Sequence, residues 1–158
     1  MATRAQAREA SPGYAAAPAQ VLVDSGPLIA LFNAADHWHT PVREWLRAHP
    51  ATRLISTWPV ATEVCALLAR RIANAAALDF LRWVQRGAVR LDSPDATTSL
   101  PQMLAIAERF ADLPLDLADA SIAEAAARLK LRHILSLDSD FDVYRDRQGR
   151  PLVNLLRG

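Results

Sequence analysis

Short apolar runs alternate with amphipathic stretches along this chain, and their order predicts an α/β domain. Residues 21–23 are an apolar triplet cut short by Asp24-Ser25-Gly26-Pro27, which reads as a strand and a turn before a helix over 28–34. Thr40-Pro41 has the form of a helix start, a capping hydroxyl and then proline, with Val42, Trp45, Leu46 and His49 following at helical spacing. Residues 54–56 make a second short strand. Pro59 then opens a helix with Val60, Val64, Leu67 and Leu68 on one stripe. Residues 74–86 repeat the pattern and stop at Gly87.

A third extended piece is expected over 89–91 and a helix over 99–111. After Pro114 a helix follows over 117–129, where Glu124 and Arg128 have a favourable i,i+4 spacing. Strands over 133–137 and 152–155 complete the pattern. Short apolar strands alternating with helices imply a central, mostly parallel sheet covered by helices on both faces. No internal repeat or second domain is visible, so 21–158 is read as a single domain. Residues 1–20 are rich in alanine, lack the apolar core of a secretory signal, and are expected to be a disordered leader.

Composition narrows this picture only slightly. The net charge is +1, so any nucleic-acid contact has to come from a local basic patch. Lys130 is the one lysine among 18 basic residues. Cys65 stands alone, which excludes an internal disulfide and fits a reducing, cytoplasmic setting. No apolar run is long enough to span a bilayer.

The candidate chemistry lies in the acids. Asp24 directly follows the first strand, where open parallel sheets bind ligands, although it could equally cap the next helix. Glu63 shares a stripe with Val60 and Leu67, a costly place for a carboxylate unless it is paired to an arginine or bound to a metal. Asp119 lies in line with Ile122, Ala123 and Ala126. Asp116, one turn earlier, is read as the cap of that helix. Asp138 and Asp140 follow another strand end. Carboxylates converging in this way repel each other, and a divalent cation relieves the repulsion. Oxygen ligands without paired His or Cys select Mg²⁺ or Mn²⁺ over Zn²⁺. His37 and His39 flank Trp38 and are assigned to a loop, because no further ligand completes a zinc site.

These residues resemble the motifs of PIN-domain ribonucleases. VLVDSGPLIALF (21–32) is similar to the family's opening and PVATEVCALL (59–68) to its second motif, with Glu63 as its acid. LDLADASIAEAAARL (115–129) looks like the third, with Asp119 at the catalytic position and Asp116 as companion. ILSLDSDFDVY (134–144) looks like the last, with Asp138 matching better than Asp140. The compact form most resembles the VapC-type toxins of toxin–antitoxin pairs. That resemblance implies a PIN-like three-layer sandwich and a metal-dependent endoribonuclease with Asp24, Glu63, Asp119 and Asp138 as catalytic and metal-binding residues. Ser25, Asp116 and Asp140 would support them.

It further implies an RNA substrate, a homodimer and a cognate antitoxin. Trp45, Phe80 and Trp83 offer aromatic surface for such a dimer, and Arg70, Arg71, Arg82 and Arg86 are candidate RNA contacts. A non-catalytic PIN-like module that binds RNA or a partner is the alternative. Two rival aspartate chemistries fit poorly. Haloacid-dehalogenase-like phosphatases want an aspartate where Gly26 stands, and receiver domains want a lysine after a late strand, whereas Lys130 precedes one.

Overall fold

The computed structural model describes residues 17–146 and 148–157. Its five strands are β1 (Gln20–Val23), β2 (Arg53–Thr57), β3 (Val89–Asp92), β4 (His133–Leu135) and β5 (Val153–Asn154). They form one sheet in the order β3-β2-β1-β4-β5, and every pairing is parallel. Six helices connect them: α1 (Ser25–Leu31), α2 (His39–Ala48), α3 (Trp58–Arg71), α4 (Asn74–Gln85), α5 (Ala96–Arg109) and α6 (Leu117–Leu129). Val21, Leu22 and Val23 are all buried, so both faces of the central strand are covered, as an all-parallel sheet requires. Leu22, Ile55, Phe80, Ile122 and Ile134 belong to one continuous core.

Strand order reverses direction at β1. The chain steps outward to β2 and β3, then returns to place β4 on the other side of β1. Such a switch point opens a crevice between the carboxyl ends of β1 and β4.

Several expected boundaries move, each for a local reason. Of the expected leader, residues 1–16 lie outside the described residues. Gln20 already opens β1, and the Thr52 hydroxyl donates to the Pro18 carbonyl at 2.9 Å. Helix α1 begins at Ser25 rather than Leu28, taking Gly26 and Pro27 into its first turn, where a missing proline N–H costs nothing. Helix α2 begins at His39, so Thr40 does not cap it. The upstream turn at Asp36, whose carboxylate accepts from the Trp38 amide at 2.8 Å, leads straight into the helix. Helix α5 starts at Ala96 because Asp95 caps it through the Thr97 amide at 2.7 Å, and it carries Pro101 inside. Strand β4 stops at Leu135, since the Asn154 side chain takes over both backbone groups of Ser136.

The aromatic argument for a dimer fails on burial. Phe80 is completely buried, and Trp45 and Trp83 pack against the chain's own core. Phe32 meets both Phe80 and Trp83 edge-on at 5.7 Å. Cys65 is half-buried, and burial pushes its thiol above the ordinary value. No helix among the described residues is long and apolar enough to cross a membrane.

Candidate active site

Asp24 is placed by the end of β1. Its amide donates to the Leu135 carbonyl at 3.0 Å, which extends the β1–β4 pairing by one step and fixes the side chain in the crevice. The carboxylate makes no capping bond to α1, so the capping alternative does not hold. Oδ2 instead accepts from the buried Ser136 hydroxyl at 3.1 Å, while Oδ1 is buried with no hydrogen-bond partner. Burial raises the Asp24 carboxyl to about 6. The neighbouring Ser25 amide and the Ser136 hydroxyl oppose the rise, and the charges of Glu63 and Asp138 add to it.

Asp119 enters from α6. Asp116 caps this helix, accepting from the amides of Ala118 at 2.8 Å and Asp119 at 3.2 Å, and so sets the first turn from which Asp119 projects. Burial raises Asp119 to about 8, with Asp24, Asp116, Asp138 and Asp140 all contributing repulsion. One carboxylate oxygen from each of Asp119, Asp138 and Asp140 lies within 4.8 Å of the others. Asp138 and Asp140 come from the turn after β4, where the Asp138 carboxylate accepts from the Asp140 amide at 2.9 Å. Asp140 is raised as well, first by burial and then by Asp138 and Asp116.

Glu63 projects half-buried from the second turn of α3, near enough for its charge to act on Asp24. The arginine partner considered for it is absent: among the described residues Glu63 forms no ion pair. Thr57 caps α3 by accepting from the Val60 amide, and its hydroxyl meets Ser121 of α6 at 2.6 Å, tying the helix of Glu63 to that of Asp119. Ser25 is half-buried beside Asp24. A Cβ at Gly26 would come within 3.2 Å of Leu137, so glycine lets the first turn of α1 close on the turn that bears Asp138.

Asp119, Asp138 and Asp140 thus form the close cluster, while Asp24 stands near enough for its charge to act on Asp119, and Glu63 near enough to act on Asp24. The arginines do not join them. Arg70 and Arg71 occupy the last turn of α3, about 10 Å along the axis beyond Glu63, and Arg82 pairs with Asp79 at 2.9 Å. The Nδ1 of His39, the first residue of α2, bonds the Ala30 carbonyl at 2.9 Å, so this side chain serves the helix start rather than a loop.

Two residues escaped the sequence reading. Ser136 bonds Asp24 and also accepts from the Asp138 amide at 3.0 Å, and its only trace was a small polar residue between Leu135 and Leu137. Tyr144 is buried near the cluster. Burial pushes its phenol up to about 12, helped by Asp119 and Asp140, and nothing in its spacing signalled this.

The donor set is entirely oxygen, includes an orphaned buried carboxylate atom and, among the described residues, has no neutralising arginine. It fits a hard divalent cation.

Comparison with known proteins points the same way. A family model described as PIN domain matches residues 21–146. Ribonuclease VapC26 of Mycobacterium tuberculosis is 31% identical over 118 residues, which is 75% of this chain and 86% of that protein. Among solved structures, the Sarcin-Ricin loop cleaving toxin VapC20 of Mycobacterium tuberculosis superposes with a TM-score of 0.72 at 23% identity, covering 83% of this chain and 99% of that one. VapBC2 from Rickettsia felis, solved bound to a DNA fragment from its promoter, gives 0.59 at 12% identity, covering 85% of this chain and 98% of that one. These two likenesses concern the fold.

Proposed function

Since this chain belongs to the PIN domain family, we propose that it is a metal-dependent endoribonuclease and the toxin of a type II toxin–antitoxin pair. The observation that carries the reading is the convergence of carboxylates at the switch point of the sheet, with no cationic partner among the described residues. The ribonuclease relative supports RNA as substrate. Asp24, Glu63, Asp119 and Asp138 are assigned to hold Mg²⁺ or Mn²⁺ and to carry the reaction, with Ser25, Asp116 and Asp140 in support.

When bound, such an ion supplies a water acidic enough to attack phosphorus and offsets charge on the scissile phosphate. The chain's own groups prepare that event. Ser136 holds Oδ2 of Asp24 and leaves Oδ1 facing the crevice. Burial and the surrounding carboxylates favour the protonated form of Asp119, so a cation held there would couple its binding to proton release at that carboxyl. A carboxylate of the set then accepts the proton of the attacking water, and the Ser25 hydroxyl can bond the phosphate. Hydrolysis in this sense leaves 5′-phosphate and 3′-hydroxyl ends.

Assembly belongs to the same reading. The VapBC neighbour supports an antitoxin partner, and a homodimer is proposed with it, for which Ile72, Leu78 and Leu81 offer exposed apolar surface on α4 and its approach. Light scattering at micromolar concentration should show a dimer, and a monomer would remove that part. The cytoplasm is the compartment where such a substrate is met.

The deciding experiment incubates purified protein with RNA in Mg²⁺, Mn²⁺ or EDTA. Cleavage in either metal that stops in EDTA is the expected result. RNA left intact in both metals at saturating protein would instead favour a non-catalytic PIN-like binding module.

A further inference from the structure

The cleft poses a problem of affinity. Asp24, Glu63, Asp116, Asp119, Asp138 and Asp140 crowd the carboxyl edge of the sheet, and among the described residues none of them pairs with an arginine or lysine. One or two divalent ions leave six carboxylates with excess negative charge. A phosphodiester chain gains little attraction there, because affinity for such a chain comes mainly from cations meeting phosphates.

The opposite edge has the complementary character. Gln20, Arg53 and His133 are the first residues of three adjacent strands, β1, β2 and β4. With Lys130, Leu131 and Arg132 they line a groove of about 650 Å³ that, among the described residues, no acidic side chain lines. Arg53 and Lys130 are exposed and, among the described residues, paired with no carboxylate. Arg132 donates from Nη2 to the Pro151 carbonyl at 3.1 Å, and its Nε is buried without a hydrogen-bond partner. An adjoining hollow shares Lys130 and Arg132 and adds Arg150; its one acid among the described residues, Asp146, is engaged by Arg150 at 2.8 Å and lies 3.9 Å from Nε of Arg132. This leaves Arg53 and Lys130 as the groove's free cations among the described residues.

Lys130 adds an independent sign. It ends α6 in the left-handed conformation, φ 57 and ψ 38, where glycine or asparagine is favoured and a longer side chain is strained. The only lysine of the chain is held at that position, beside the groove. Strain at a single exposed residue is accounted for when the side chain itself is needed.

We propose that this amino-edge groove binds the phosphate backbone of RNA, as a second contact remote from the cleft. The proposal rests on the ribonuclease reading and names a feature of its substrate. The five-residue strand β2 alone spans about 17 Å between the two edges. Only a long or folded RNA reaches both. The groove therefore strengthens binding of such RNA and leaves the cleavage step alone, lowering KM without changing kcat.

Binding is measured in EDTA on an Asp119→Asn background, so that no RNA is cut, as a function of salt. The probes are a long structured RNA, a short oligonucleotide confined to the cleft, and duplex DNA. Combining Arg53→Gln with Lys130→Gln should weaken binding of the long RNA and reduce its salt slope by about two, one for each charge removed, without affecting the short probe. Lys130→Gly should raise the melting temperature by relieving the left-handed strain, yet lower the RNA salt slope by about one. A purely structural lysine would move the melt and leave the slope alone.

An unchanged slope for the long RNA in the double variant overturns the proposal. So does a groove-dependent preference for duplex DNA. If the unmutated protein cuts no RNA in any metal, the ribonuclease reading fails, while the slopes still decide whether the groove binds RNA.

Discussion

Helix α6 carries two buried acids with opposite fates. Asp119, near its start, faces the crevice among other carboxylates and is raised to about 8. Glu124, five residues on, is buried as deeply but lies against Arg128, whose Nε donates to it at 2.8 Å. The same guanidinium also bonds Asp92 at the end of β3, and both carboxylates hold the arginine's proton more firmly than usual. Burial is thus common to both regions and distinguishes neither. What separates a candidate site from a structural pair is whether the fold supplies the countercharge.

The sharpest way to test that contrast is to remove the countercharge. Arg128→Met leaves Glu124 buried and unpaired, and leaves Asp92 with only the longer contact to Arg90 at 3.7 Å. It should cost about 3 kcal/mol, the low end for a broken buried pair because the guanidinium is 35% exposed. Thermal melts should show this loss equally in EDTA and in Mg²⁺, with cleavage per folded molecule preserved. A loss that magnesium repairs would join the two regions into one site.

Asp119→Asn makes the reciprocal change. In EDTA it should be neutral near pH 7, where Asp119 keeps its proton, and stabilising above about pH 8, where it removes one repelling charge at nearly constant shape. The unmutated protein should gain about 2.7 kcal/mol at a magnesium concentration of 100 times Kd. The variant should lose both that gain and the nuclease activity. Destabilisation in EDTA comparable to that of Arg128→Met would make Asp119 scaffolding.

Acid titration separates the regions without mutation. Asp24 and Asp119 have folded values above their ordinary 3.8, so the native state keeps protons that the unfolded chain releases. Their contribution to stability is complete below about pH 4 and is lost as pH rises, through about 6 for Asp24 and about 8 for Asp119. In EDTA the melting temperature should fall across that window, and saturating Mg²⁺ should flatten the slope. The same slope with and without metal would contradict cation binding at these groups.

The smallest effect is expected at Ser136→Ala. Losing its bonds to Asp24 and to the Asp138 amide should cost about 1 kcal/mol. It should also push Asp24 higher, weakening the magnesium response and moving the acid limb of the cleavage profile to higher pH. A variant with unaltered magnesium affinity would show that Ser136 only fills space.

Much of this organisation was legible because the signals were local. The strands at 21–23 and 54–56 and the helix over 117–129 announced themselves through apolar runs, a cap and a period, and the structure places them within a residue or so. Asp24 and Asp138 could be picked out because strand ends are where parallel sheets bind ligands. The unread parts were settled across the chain. Whether Glu63 met an arginine, and whether Trp45 and Trp83 were covered, depended on neighbours far away in sequence. Ser136 mattered only once β1 and β4 lay side by side. The shift of α1 had a different origin, because Gly26 and Pro27 favour both a turn and a first helical turn, and contact with Leu137 decides between them.

Asn154 of β5 carries weight at a distance from the acids. Its amide nitrogen holds the Ser136 carbonyl at 2.9 Å, its oxygen accepts from the Ser136 amide at 3.3 Å, and Ser136 in turn orients Asp24. Replacing Asn154 should therefore loosen Asp24 at one remove, so that Asn154→Ala weakens the magnesium response in the same direction as Ser136→Ala.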